Sequence, residues 1–150
     1  MTQDDYTKKD DFDLLDFLPY LLNRAAEESS LEFQNVYNDR YGMLRTEWRV
    51  LFHLGIYGEL TATEIGERAK IHKTKVSRAV NKLEARRFLA RARSEADRRV
   101  EQLTLTPIGL SVYRELRGIA QQYDAKLAAM FSAEETAVLR KMLRRLADIG

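Results

Sequence analysis

Three helix-start signatures fix where three helices begin between residue 61 and the C-terminus. Thr61 and Glu64 have capping-box spacing, as do Ser132 and Glu135. In each pair the hydroxyl and the carboxylate satisfy one another's otherwise unbonded backbone N–H groups. Between them, Thr106-Pro107 joins a hydroxyl N-cap to a proline at the first helical position, where a missing N–H costs nothing. These signals predict a short helix from Thr61 to Ala69, a long one from Pro107 to about Met130, and a last one from Ser132 to the C-terminus. Along the last, Val138, Leu139, Met142, Leu143 and Leu146 recur at helical spacing.

Upstream, the first ten or so residues are polar and acidic and read as a mobile arm, and Phe12 to Leu18 brings the first large apolar residues. Pro19 opens a helix to about Asp39. A second helix spans Thr46 to Leu54, with Thr46 as its N-cap, Gly55 and Gly58 marking its end, and positions 48, 51, 52 and 54–56 facing a core. Lys73 to Arg86 is a further helix. Counting 100° per residue from Val76, Ala79, Val80 and Leu83 fall within about 60° of it, while Thr74, Arg78, Asn81 and Ala85 lie roughly opposite. One face packs and the other is open. Leu89–Arg93 and Val100–Leu105 then alternate around a polar, arginine-bearing connection and form a β-hairpin.

The fold expected is mainly α with a small β-hairpin: short helix, tight turn, basic helix, hairpin. That order is a winged helix-turn-helix. Charge concentrates on it, since residues 68–99 carry 12 Lys/Arg against 3 Asp/Glu, whereas residues 1–39 carry 3 against 10. A near-neutral chain with one dense cationic segment suits a polyanion, because neutralising phosphates there releases counterions.

A helix about 10–12 Å across fits the major groove of B-DNA, and the exposed N-terminal half of such a helix meets base edges. Thr74, Ser77 and Arg78 are the candidates for bases, with Arg78 able to donate two hydrogen bonds to guanine. Lys73, Lys75 and Lys82 flank this face and suit phosphates. In the hairpin, Arg98 and Arg99 stand where an extended loop can reach a narrow minor groove, and Asp97 buttresses an arginine beside it.

At these residues the chain resembles the MarR (multiple-antibiotic-resistance regulator) family over about residues 18–148. The matching phrases are Leu60-Thr61 to Ala69, Lys73 to Glu84, Asp97-Arg98-Arg99, and Leu103 to Gly109. The resemblance implies one MarR-like unit over residues 1–150: dimerisation helices in 12–42 and 107–150, and a winged DNA-binding lobe in 43–106. It also implies a homodimer with intertwined terminal helices, a palindromic double-stranded DNA operator, and repression relieved by a small molecule. Asp97 and Arg99 take the roles of the wing's acid and minor-groove arginine. Two positions depart from the pattern. His72 stands where a serine often begins the recognition helix, and Arg87 where a glycine often follows it.

In such a family the first two helices line an effector pocket. Arg24, Arg45, Trp48, Arg49 and His53 are the candidate effector residues, which points to an aromatic carboxylate or its acyl-CoA thioester. Apolar residues at both ends, among them Leu14, Leu15, Leu18, Leu21 and Leu22, then Leu139, Met142, Leu143, Leu146 and Ile149, exceed what a lobe of about 60 residues covers and support the dimer. With no cysteine, two histidines, no phosphate-binding glycine loop and no nucleophile beside a base, neither an enzyme nor a metal or cofactor protein is expected. No stretch has the length of a signal peptide or membrane span, so a cytoplasmic protein with no membrane contact is expected. The alternative is a winged-helix module that binds other proteins without specific DNA binding.

Overall fold

The computed structural model describes residues 7–93, 95–97 and 99–150. The start of the acidic arm and the wing candidate Arg98 lie outside the described residues. The chain forms two compact units, one ending at Glu32 and one running from Phe33 to Gly150.

In the first unit a 3₁₀ turn, Leu14–Asp16, is capped by Asp13, whose carboxylate accepts from the Leu15 N–H at 3.1 Å. Helix α1, Leu18–Tyr41, follows, with Pro19 in its first turn. Leu14, Leu15 and Leu18 remain exposed.

The second unit is built around one apolar cluster that takes side chains from the end of the first helix, from all three strands and from every later helix except the last. The end of α1 contributes Phe33 and Tyr37. Helix α2, Arg45–Tyr57, is capped by Leu44 and not by Thr46 as the sequence suggested. Leu44 has extended backbone and no polar side chain, so the N-terminus is held from the other direction: the Glu47 carboxylate accepts from the Leu44 N–H. Gly58 ends the helix, whereas Gly55 lies inside it. A Cβ on Gly55 would stand 2.5 Å from the ring of Tyr113, so this position seats an aromatic ring and does not mark an end. Val50, Leu51 and Leu54 are buried, while Ile56, expected in the core, is 59% exposed.

Helix α3, Ala62–Ala69, and helix α4, Lys73–Ala85, follow in quick succession. The Thr61–Glu64 capping box forms as its spacing requires, with Thr61 Oγ1 accepting from the Glu64 N–H and Glu64 Oε1 from the Thr61 N–H, both at 3.1 Å. At α4 the cap is His72, whose Nδ1 accepts from the Thr74 N–H at 3.2 Å, so imidazole does here what a hydroxyl does elsewhere. Val76, Ala79, Val80 and Leu83 are buried, and α4 packs on α2 and α3. Truncating a side chain such as Leu83 costs about 2–5 kcal/mol.

After α4 the chain reverses at Arg87, which has φ +65°. The Phe88 N–H bonds to the Leu83 carbonyl and the Arg87 N–H to that of Glu84, the paired bonds of a Schellman ending. Among the described residues the sheet has three strands and not the two expected: β1 (Glu59–Leu60), β2 (Leu89–Arg93) and β3 (Glu101–Leu105), antiparallel in the order β1-β3-β2. Leu60 and Arg91 both stand opposite Leu103, and Leu89 opposite Leu105.

Thr106 caps helix α5, Pro107–Ala128, accepting from the Gly109 N–H while donating to the Arg87 carbonyl at 2.6 Å. Helix α6, Ala133–Leu146, starts at the Ser132–Glu135 capping box. No helix among the described residues is long and apolar enough to cross a membrane.

Candidate nucleic-acid interface

Because one stripe of α4 is consumed by the core, periodicity leaves the opposite stripe in solvent. Lys73, Thr74, Lys75, Ser77 and Arg78 are all exposed. Among the described residues no carboxylate pairs with Lys73, Lys75 or Arg78, so their charge is open to an anion. Lys82 differs. Its Nζ lies 3.8 Å from Oε1 of the buried Glu47, which ties this lysine to the start of α2.

In the hairpin, Asp97 Oδ1 accepts from the Arg99 N–H at 3.0 Å and lies 3.8 Å from Arg99 Nε. The aspartate thus folds the turn and faces the arginine it was expected to buttress. The Arg99 side chain is 96% exposed.

One residue of this region escaped the sequence reading. Period-two alternation puts Arg91 on the same face of β2 as the buried Leu89, at the edge where the sheet meets α4. There Arg91 Nε reaches Glu84 Oε2 at 3.1 Å, Nη1 reaches Glu101 Oε2 at 3.0 Å, and Nη2 reaches Asn81 Oδ1 at 2.5 Å. Its pKa is raised, first by the hydrogen bond to Glu101 and then by the charge of Glu84. The signal available in sequence was an arginine two residues beyond a buried leucine in an otherwise exposed strand.

The effector candidates are placed as follows. Trp48 joins an aromatic cluster with Phe33, Tyr37 and Phe52, its ring 5.1 Å from that of Phe52 and edge-on to it. Arg49 leaves the next position on the helix and donates to the Ala69 carbonyl at 3.0 Å, at the end of α3. Burial lowers its pKa, and the neighbouring Arg45 lowers it further. His53 Nδ1 stands 2.6 Å from the Arg49 carbonyl, and Arg45 is exposed at the start of α2. Arg24, in the first unit, donates to the Tyr20 hydroxyl at 3.1 Å. A groove of about 710 Å³ opens between α2 and α5, with Phe52, Ile56, Leu110 and Tyr113 as apolar walls, Arg114 and Arg117 as cations, and Asp124, which accepts from Arg140 at 2.9 Å, as the carboxylate of its lining. None of the five candidates lines it.

A short helix, a tight turn, a solvent-facing basic helix and an antiparallel wing together define a winged helix-turn-helix protein. Residues 41–100 match the model of the MarR family. The chain is similar to the HTH-type transcriptional repressor MdtR of Bacillus subtilis, 27% identical over 110 residues, covering 73% of this chain and 71% of the relative. The fold is similar to that of the MarR family transcriptional regulator SPO1453 from Silicibacter pomeroyi, at a TM-score of 0.78 and 27% identity, covering 93% of this chain and 98% of the other. It is also similar to the PcaV transcriptional regulator of Streptomyces coelicolor, solved in complex with its natural ligand, at a TM-score of 0.80 and 26% identity over 93% of this chain and 98% of PcaV. The match takes in the helix-turn-helix and the first strand of the wing, and likens this part of the chain to the MarR family.

Proposed function

We propose that this chain is a sequence-specific transcriptional regulator of the cytoplasm, a ligand-responsive repressor that binds a palindromic operator in double-stranded DNA as a homodimer. The observation that carries this reading is the exposed face of α4, where Thr74, Ser77 and Arg78 stand between Lys73 and Lys75 on a helix locked from behind by four buried side chains. Thr74, Ser77 and Arg78 read bases in the major groove, and Lys73 and Lys75 hold phosphates. Arg99, oriented by Asp97, and Arg98 enter the minor groove.

Residues 43–106 form the DNA lobe in this reading, and the helices in 12–42 and 107–150 form the dimer. What supports the dimer is α6, where Val138, Leu139, Met142, Leu143 and Leu146 are all at least 40% exposed in the single chain. Two lobes on a twofold axis read two half-sites centred about 10–10.5 base pairs apart. Selection from a randomised duplex pool tests this: enrichment of an inverted repeat at that spacing is the expected result, and recovery of no repeat discards it.

For the effector we retain an aromatic acid or its coenzyme A thioester. The groove between α2 and α5 pairs aromatic walls with Arg114 and Arg117, which suits an aromatic anion; the sequence-derived candidates Arg24, Arg45, Trp48, Arg49 and His53 are the second possible location. Calorimetry against phenolic acids and acyl thioesters, with Arg114→Ala and Arg49→Ala, decides between the two locations by which variant abolishes the heat. A silent panel discards the effector class.

A further inference from the structure

We propose that Arg91 is a positioning residue that sets the wing's place against the recognition helix, so that the minor-groove contact of Arg99 depends on it. The proposal rests on the DNA-binding reading above and adds a residue to which that reading gives no role.

The wing is a two-stranded projection, and strand pairing alone leaves it hinged at its base. Only Leu89 of β2 is buried, so beyond this residue the hairpin has no apolar anchor on that strand. Arg91 supplies a polar one. Its planar guanidinium directs three nitrogens to three acceptors, two on α4 (Asn81 and Glu84) and one on β3 (Glu101), at 2.5–3.1 Å. A fork of fixed geometry holding two elements at once constrains both distance and angle, which a lysine cannot reproduce. The contrast with Arg99 separates the roles. The Arg91 side chain is 30% exposed and occupied by protein, whereas that of Arg99 is 96% exposed at the turn. Asn81 and Glu84 lie one to two turns beyond Arg78 on the same helix. The clamp therefore fixes the wing relative to the helix that carries the base-reading side chain.

A double-mutant cycle on the full-length protein tests the proposal, with a fluorescent duplex recovered by selection from a randomised pool as the probe and anisotropy as the readout. In the wild-type background Arg99→Ala is expected to weaken binding about tenfold. In Arg91→Ala, and equally in Arg91→Lys, the same change is expected to cost about twofold or less, because the wing is no longer held in place. Glu101→Ala, which removes one leg of the clamp and leaves every arginine, is expected to give an intermediate dependence and guards against loss of fold in the arginine variants. Equal losses from Arg99→Ala in all backgrounds, or full recovery by Arg91→Lys, overturn the proposal and leave the DNA-binding reading standing. If the wild type binds no selected duplex better than random duplex, the underlying reading falls and this proposal falls with it.

Discussion

The Cβ that Gly109 lacks would stand 1.8 Å from the carbonyl oxygen of Phe88. The same carbonyl accepts from the Thr106 N–H at 3.1 Å, and Thr106 caps α5 through the Gly109 N–H. The start of the long C-terminal helix is thus pressed directly onto the turn that leaves the recognition helix. An alanine here meets backbone, not a movable side chain. Gly109→Ala is expected to destabilise the protein by about 3 kcal/mol, as strong overpacking does, read from the midpoint of urea unfolding. A change below about 0.5 kcal/mol, the scale of an ordinary surface substitution, contradicts the close approach.

Arg87 holds a left-handed backbone, φ +65°, that glycine adopts without strain. Arg87→Gly is expected to stabilise the fold by about 1 kcal/mol and to raise Tm. A fall in Tm would show that the arginine side chain contributes more than the strain it imposes.

Glu115 accepts from the Tyr41 hydroxyl at 2.8 Å and from Arg40 at 2.5 Å, and these hold its pKa below the ordinary carboxylate value, the tyrosine first and the arginine second. A carboxylate depressed in the folded state adds stability that is complete above its unfolded pKa and fades as pH falls through the folded one. The gap in Tm between wild type and Glu115→Gln is therefore expected to be largest near neutrality and to close in acid. A gap that is constant with pH contradicts the assignment.

Much of the fold was legible because its signals are local. The capping boxes at Thr61–Glu64 and Ser132–Glu135 and the Thr106-Pro107 start involve side chains bonding to backbone three residues away or less, and the buried face of α4 follows from its own periodicity. What was not legible is set from a distance. Strand β1 is two residues long and owes its existence to β3, which lies some 40 residues further along the chain. Gly55 carries no mark of the Tyr113 ring that requires it. Leu44 displaced Thr46 as a cap because Glu47 reaches the Leu44 N–H from inside the helix. In the candidate site the exposed α4 residues could be read from the helix period, but the partners of Arg91 could not, since they come from α4 and β3 and meet only once the sheet has closed.

Met142 and Leu146 lie on the apolar face of α6, 57% and 62% exposed in the single chain. Light scattering at micromolar concentration is expected to give twice the mass of one chain, and Met142→Glu with Leu146→Glu is expected to give the monomer, because charges on a buried apolar seam are costly. A monomeric wild type removes the twofold reading of DNA.

The claim that the open face of α4 reads base sequence is tested most directly by comparing Arg78→Ala with Lys73→Ala on a selected duplex and on random duplex. Arg78→Ala is expected to cost about 1–3 kcal/mol on the selected duplex and little on random DNA. Lys73→Ala is expected to weaken both alike and to reduce the salt slope by about one. Equal losses from Arg78→Ala on both duplexes would contradict it.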